Sequence, residues 1–491
     1  MRRNGRSLAL LPLVLLGGSA SAPTQPPSDI PAPGTIAFVN TAVIPMDTER
    51  VLRDQTVVVA NGKIVAMGPA SVVKVPEDAH RVDGRGRYLF PGLCDMHVHL
   101  PGPAWKAMLP PEGQSAAENL PYEDLLFPYV ANGVTTVQAL SATPEEIALR
   151  KAIEKGEMVG PRLILGRMID GPKKAWPPPI STWVGSPEEA REAVRQSKAD
   201  GYDKIKVYSF LDKASYDAIV ASARAANMDV IGHVPMSLSL EYVLDAGQKL
   251  IAHSEEVAKH TRGDYRPERI EYFAKTMSER GVWMIPTLAT TRAILELYAN
   301  PDRVLERPEA RFNRHPLPQA IWTFVAYKLY VPTPAEARER IRSDFERFQR
   351  PLTKALSAKG GKLLAGSDTI LPGLVAGFAL HRELREMVDV GLTPFQALRT
   401  STTAPFEYLG ESDRAGTIDV GKQTDLLLLE GNPLEDVGAA AKIDGVLIRG
   451  RWIGRQEIQR RMDTLSSLPS GASAARATSA RPAGAARRAG P

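Results

Sequence analysis

An alternation running from Leu93 to Ala404 constrains the fold of this chain most strongly. Eight short apolar runs, LCDMHVHL, GVTTVQAL, PRLILGR, YDKIKVYS, DVIGHVP, KLIAHS, VWMIPTL and GKLLAGSD, are separated by helix-like stretches such as PEEAREAVRQSKAD and DKASYDAIVASARAAN. Strands that alternate with helices pair in parallel, because each crossover helix returns the chain to the same end of the sheet. Eight units of this kind predict an α/β fold, a (β/α)8 TIM-like barrel over residues 92–404, with its functional groups at the C-terminal ends of the strands. The seventh connection, residues 290–358, is a long helix-rich excursion and a candidate lid or oligomer contact.

Two β-rich segments flank this middle. From 35 to 91, runs such as TIAFVN, QTVVVA and KIVAMGP are punctuated by turn signals including Asn61-Gly62, and a similar texture returns over 405–457 in AGTIDVGKQTDLLLLEGNP and DGVLIRGRWIG. The two are expected to pair into one small β-sandwich domain, which would bring the flanks of the barrel together.

The N-terminus, MRRNGRSLALLPLVLLGGSASA, has three arginines, an apolar run from Leu8 to Leu16 and then small residues, the pattern of a cleaved signal peptide over 1–22. The apolar run is too short to span a bilayer. Export to the periplasm or outside the cell is the expectation, with no membrane attachment after cleavage, and Arg2-Arg3 leaves general secretory and twin-arginine routes both open. Residues 23–34 form a Pro-rich linker and residues 466–491 a basic, low-complexity tail. The leader contributes three arginines and the tail four, with no acids in either, so the net charge of +5 becomes −2 for the rest. No polyanion-binding surface follows, and nucleic acid is excluded as a partner. Cys94 is the only cysteine, which rules out an intramolecular disulfide, and its apolar strand makes it a buried side chain rather than a nucleophile.

The polar residues fall at one topological position. His97 and His99 end the first strand, Lys206 lies near the end of the fourth, His233 ends the fifth, His253 the sixth and Asp368 the eighth. One histidine carries little information, but four on the same rim with a lysine and an aspartate point to a metal centre. Lys204 shares a strand face with Lys206, so periodicity leaves both open.

PGLCDMHVHL, YDKIKVY, IGHVP, IAHS, LLAGSD and TPFQALRTSTTAPFEYLG…AGTIDVGKQTDLLLLEGNP together resemble the amidohydrolase superfamily, in particular its imidazolonepropionase-like and Xaa-Pro dipeptidase-like branch. The resemblance implies that His97, His99 and Asp368 bind a first divalent metal ion and His233 and His253 a second, with Lys206 as N6-carboxylysine bridging the two. Imidazole and carboxylate donors suit Zn²⁺, and Mn²⁺, Co²⁺ or Fe²⁺ are compatible. It further implies a metal-activated hydroxide, with Asp368 as catalytic base and then acid. The expected reaction is hydrolysis of a carbon–nitrogen bond in a small-molecule amide, cyclic amide or dipeptide-like substrate. An Xaa-Pro-type dipeptidase, a lactone, ester or phosphotriester hydrolase, and a scaffold with a vestigial site are the alternatives. A mononuclear deaminase is disfavoured by the strand-four lysine.

Tyr208, two residues beyond Lys206, could hydrogen-bond a substrate carbonyl or carboxylate. The Pro/Trp-rich loops PGPAWKAMLPPEGQ and DGPKKAWPPPISTW could wall an apolar pocket, with Lys173 or Lys174 near an acidic group. Strands two and six depart from the family pattern on the substrate side rather than among the metal ligands.

Overall fold

Each apolar run read from the sequence becomes a strand. The computed structural model describes residues 34–468, apart from 173–175, 424 and the side chain of Glu112. The expected leader, the body of the Pro-rich linker, the tail beyond Leu468, and Lys173 and Lys174 lie outside the described residues.

Eight parallel strands build the central layer: β1 Leu93–Val98, β2 Val134–Ala139, β3 Arg162–Asp170, β4 Lys204–Val207, β5 Asp229–Gly232, β6 Leu250–Ala252, β7 Trp283–Ile285 and β8 Lys362–Leu363, with the two-residue strand Thr182–Trp183 paired beside β3. They pair in chain order as a mixed α/β fold's curled parallel sheet. Its two edges meet after β8, where Met96 N donates to Ala365 O at 2.9 Å, Asp368 N donates to His97 O at 2.7 Å, and Val98 bridges Thr369. Every residue of β1 and β2 is buried, as expected for strands covered on both faces. Cys94 is buried with them, and burial pushes its thiol up to about 12, which makes it inert at neutral pH.

The flanking segments form a second, eight-stranded sheet. The C-terminal strand Leu426–Leu429 pairs antiparallel with Tyr88–Pro91, and this pairing joins the two flanks. The anticipated meeting of the flanks is present, and strand pairing connects all eight strands in one sheet. Asn61-Gly62 makes the two-residue turn between Leu52–Ala60 and Lys63–Pro69, with Ala60 opposite Lys63 and both turn residues at positive φ. Phe38, Val57, Leu89, Leu426, Leu428 and Trp452 fill one face. The helix Arg455–Ser467 then packs back on the parallel layer, where Met462 and Leu465 are buried and Arg461 lies 3.7 Å from the centre of the Phe127 ring.

The long seventh connection folds over the mouth of the curled sheet. It runs through helices Leu288–Ala299 and Pro316–Phe324 and the π-helical turn Val325–Tyr330. Leu317, Ile321 and Val325 pack with Met168 of β3 and with Trp105 and Ile180 from the loops after β1 and β3. This placement is that of a cap. No helix of the described residues is long and apolar enough to cross a membrane.

Candidate metal centre

The side chains of His97, His99, Lys206, His233, His253 and Asp368 meet above one end of the curled sheet. Asp368 Oδ1 lies 3.3 Å from His97 Nε2 and 3.2 Å from His99 Nε2, and Oδ2 lies 4.0 Å from His253 Nδ1. Lys206 Nζ is 3.4 Å from His97 Nε2. The His253 ring is 4.6 Å from that of His97 and 5.0 Å from that of His233. Potential ligand atoms of His97, His99 and Asp368 lie within 4.8 Å of one another.

Backbone geometry at the strand ends aims these groups. His253, Thr287 and Asp368 have φ of 72°, 51° and 52°, values that residues other than glycine seldom adopt and that a well-braced site can hold. Asp95 supplies one brace. Its buried carboxylate accepts from Ser367 N at 2.9 Å and Ser367 Oγ at 2.6 Å, which ties the turn carrying Asp368 to β1. Burial pushes the Asp95 carboxyl up to about 7.

A second layer orients the rings. His99 Nδ1 pairs with Ser141 Oγ at 2.6 Å and His253 Nδ1 with Thr287 Oγ1 at 2.8 Å. His233 Nδ1 meets Glu256 Oε1 at 3.0 Å. Glu256 is fully buried; burial opposes its charge, but His233 and Lys259 hold its carboxyl well below the usual range. An ionised carboxylate can only accept, so the proton of His233 sits on Nδ1 and the lone pair on Nε2. That buried Nε2 has no hydrogen-bond partner among the described residues, which suits a metal ligand.

Burial moves the titrations toward the forms that ligands need. It lowers His97 and His99 and brings His233 and His253 to about 4, so all four imidazoles are neutral at pH 7. It lowers the Lys206 amine to about 8. Burial alone would raise Asp368, yet His253, His99 and Lys206 hold it below its ordinary value and keep it ionised. Three histidines, a carboxylate with both oxygens turned inward and an orphaned fourth imidazole nitrogen form a donor set that fits divalent metal ions.

The two strand-four lysines part company. Lys204 is paired with Asp229 near the start of the strand, while Lys206 is buried in the cluster. Tyr208 lines the adjoining cavity, its ring 4.0 Å from that of His233, and its hydroxyl accepts from Trp176 Nε1 at 2.9 Å. His381 joins no part of the centre and bonds Asn132 O at 2.9 Å. Asp95, Ser141, Glu256 and Thr287 escaped the sequence reading. Only Asp95 carried a signal, because D-x-H-x-H places it on the strand face of His97 and His99.

The model of the amidohydrolase family matches residues 88–453. Ochratoxinase of Aspergillus niger is 24% identical over 450 residues, which is 80% of this chain and 81% of that protein. Imidazolonepropionase of Stenotrophomonas maltophilia (strain R551-3) is 35% identical over 114 residues, 22% of this chain, and the match spans only about a quarter of that relative, 26%. Among solved structures, a Xaa-Pro dipeptidase with bound methionine in the active site superposes with a TM-score of 0.65 at 22% identity, over 86% of this chain and 100% of that one. Bottromycin amidohydrolase superposes with a TM-score of 0.67 at 23% identity, over 89% of this chain and 93% of that one. These structures share the fold.

Proposed function

Since this chain belongs to the amidohydrolase family and is a hydrolase of amide-type bonds, we propose that it is an exported, metal-dependent enzyme cleaving a carbon–nitrogen bond in a small amide, cyclic amide or dipeptide-like substrate. The observation that supports this reading best is the convergence of Asp368 with His97 and His99 beside Lys206, His233 and His253. The leader-like N-terminus supports export.

His97, His99 and Asp368 would hold one divalent ion and His233 and His253 a second, with Lys206 shared between them. Zn²⁺, or by the same donor logic Mn²⁺, Co²⁺ or Fe²⁺, would supply Lewis acidity toward a carbonyl oxygen and toward water. Lys206 is suited to carry an anionic group. With its pKa near 8, about a tenth of the amine is neutral at pH 7 and able to attack CO₂; one N–C bond forms, one proton leaves to solvent, and a carbamate remains. Asp368 is ionised and buried, so it can take the proton of an attacking water and hand it to the departing nitrogen. Tyr208 already accepts from Trp176 and keeps its own hydroxyl proton to donate to a substrate oxygen. Trp105, Trp176 and Tyr330 enclose the site and reduce the access of bulk water.

Metal analysis of the matured protein tests this reading when followed by a screen of Xaa-Pro and other dipeptides, N-acyl amino acids, cyclic amides and lactones, with Asp368→Asn as the blank. Two ions per chain, turnover of an amide ahead of lactones, and a loss of roughly 100-fold or more in the variant are expected. Absence of stoichiometric metal, or a clear preference for esters or lactones, would overturn it.

A further inference from the structure

The cavity above the centre has a composition that the hydrolytic chemistry does not require. Trp105, Trp176, Tyr208 and Tyr330 wall it, and Glu255 is its one carboxylate besides Asp368 among the described lining residues. Aromatic faces carry partial negative charge and attract cations, most strongly where water is thin.

Glu255 sits on the helix Ser254–Ala258, two residues after His253, so the same strained turn that aims the histidine also sets this carboxylate beside the cavity. Its nearest cation is Lys259, with Nζ 3.3 Å away. Lys259 is also in closer contact with Glu256, the buried carboxylate that holds His233. Two carboxylates therefore share one ammonium. The buried partner needs it more, because an uncompensated charge costs far more inside than at a wetted wall. One negative charge is left over at the wall of the cavity that Tyr208 and Tyr330 also line.

Tyr330 belongs to this arrangement through an unusual backbone. It ends the π-helical turn Val325–Tyr330 of the cap, a conformation often found at functional sites, and stands 6.5 Å from the Tyr298 ring. The turn carries an aromatic ring to the cavity that Tyr208 lines from the end of β4.

We propose that the substrate carries a cationic side chain, an ammonium or a guanidinium, which sits between Tyr208 and Tyr330 and is neutralised by Glu255. This deepens the amide-hydrolase reading and rests on it. Lysine and norleucine have side chains of matched length and differ at the charged end, which makes them suitable probes.

The test uses metal-loaded protein and two measurements. Turnover is followed for lysyl-alanine against norleucyl-alanine and for alanyl-lysine against alanyl-norleucine, and binding is followed by calorimetric titration with lysinamide and norleucinamide. A preference of about tenfold for the lysine member is expected in binding and in kcat/KM of one dipeptide pair. The preference should collapse toward one in Glu255→Gln, persist in Tyr330→Phe and fall in Tyr330→Ala. Binding of lysinamide with this Glu255 dependence, without cleavage of any dipeptide, would keep the cation site and count against the hydrolytic reading. Cleavage with no lysine preference, or an equal preference in Glu255→Gln, would overturn the cation site and leave the hydrolytic reading standing. Failure to bind lysinamide over norleucinamide overturns the proposal whatever the dipeptides do.

Discussion

Replacing Glu256 by glutamine should weaken the proposed second metal position at His233 and His253 while leaving the fold intact. The carboxylate is fully buried and takes three donors: His233 Nδ1 at 3.0 Å, Val234 N at 3.1 Å and the Lys259 ammonium. His233 and Lys259 both meet Oε1 and Val234 N meets Oε2, so a glutamine that keeps its carbonyl toward His233 sets its NH₂ against the Val234 N–H and offers His233 a neutral acceptor in place of a charged one. Lys259 has an alternative in Glu255 and water because its side chain is 44% exposed. His233 has Ser209 Oγ, 3.3 Å from Nδ1, but a hydroxyl can donate as well as accept, so without the carboxylate the ring proton is no longer held on Nδ1 and the lone pair a ligand needs is no longer fixed on Nε2. A buried hydrogen bond to a charged group is worth about 1.5–3 kcal/mol, which corresponds to a loss of roughly 10- to 150-fold in affinity. Loss of a second-layer partner elsewhere has effects of about that size. Dialysis against buffered free metal gives the occupancy of each position, and kcat/KM measured against free metal gives the functional consequence. The loss should lie in metal affinity and be largely restored at saturating metal. Wild-type occupancy in a Glu256→Gln protein with an unchanged melting curve would refute the idea that this carboxylate sets the tautomer of His233.

Other outcomes follow from the same geometry. In metal-free protein, burial holds His233 and His253 at about 4, against 6.5 for free imidazole, so between these values the unfolded chain binds more protons than the folded one. The contribution of these two groups is complete above pH 6.5 and is lost as pH falls toward 4, opposite in sign to that of the buried Asp95 carboxyl at about 7; the melting-temperature difference between wild type and a His233→Asn, His253→Asn double variant should therefore change by several degrees over that interval, and a difference independent of pH would contradict the burial argument. Wild-type protein supplied with ¹³C-bicarbonate should give a carbamate carbon resonance that Lys206→Met lacks, and the variant should hold about one metal ion per chain where the wild type is expected to hold two. Gly232 has φ +119°, and a Cβ there would stand 2.4 Å from Val207 O and 2.9 Å from Lys206 Cγ. Gly232→Ala should therefore cost about 2–4 kcal/mol in denaturant unfolding and displace Lys206, with a loss of activity greater than the loss of folded protein explains.

The legible parts of this protein were those in which one physical requirement repeats along the chain. A strand covered on both faces must be apolar nearly throughout, so LCDMHVHL or KLIAHS stands out against its neighbours, and a polar residue at its end is conspicuous. His97, His99, Lys206, His233, His253 and Asp368 were visible for that reason. Glu256 was not, because in SEEVAK it looks like an ordinary acid on an amphipathic helix; its burial comes from the neighbouring strand, and its counter-ion Lys259 can be read as an exposed i,i+3 partner. Ser141 and Thr287 are small polar residues just beyond strand ends, a description that fits many loop residues. Tyr330 lay within a long excursion whose path over the mouth no local pattern announces.

The sequence by itself determined the order of the elements, the rim on which the candidate metal ligands gather and the residue types available there, because burial period and strand ends are local properties of the chain. The tertiary structure alone decided which lysine enters the cluster, which nitrogen of His233 carries the proton, and that Glu255 and Tyr330 line the same cavity. Those outcomes depend on distances between segments far apart along the chain, and only the closing of the sheet and the fold of its cap set such distances.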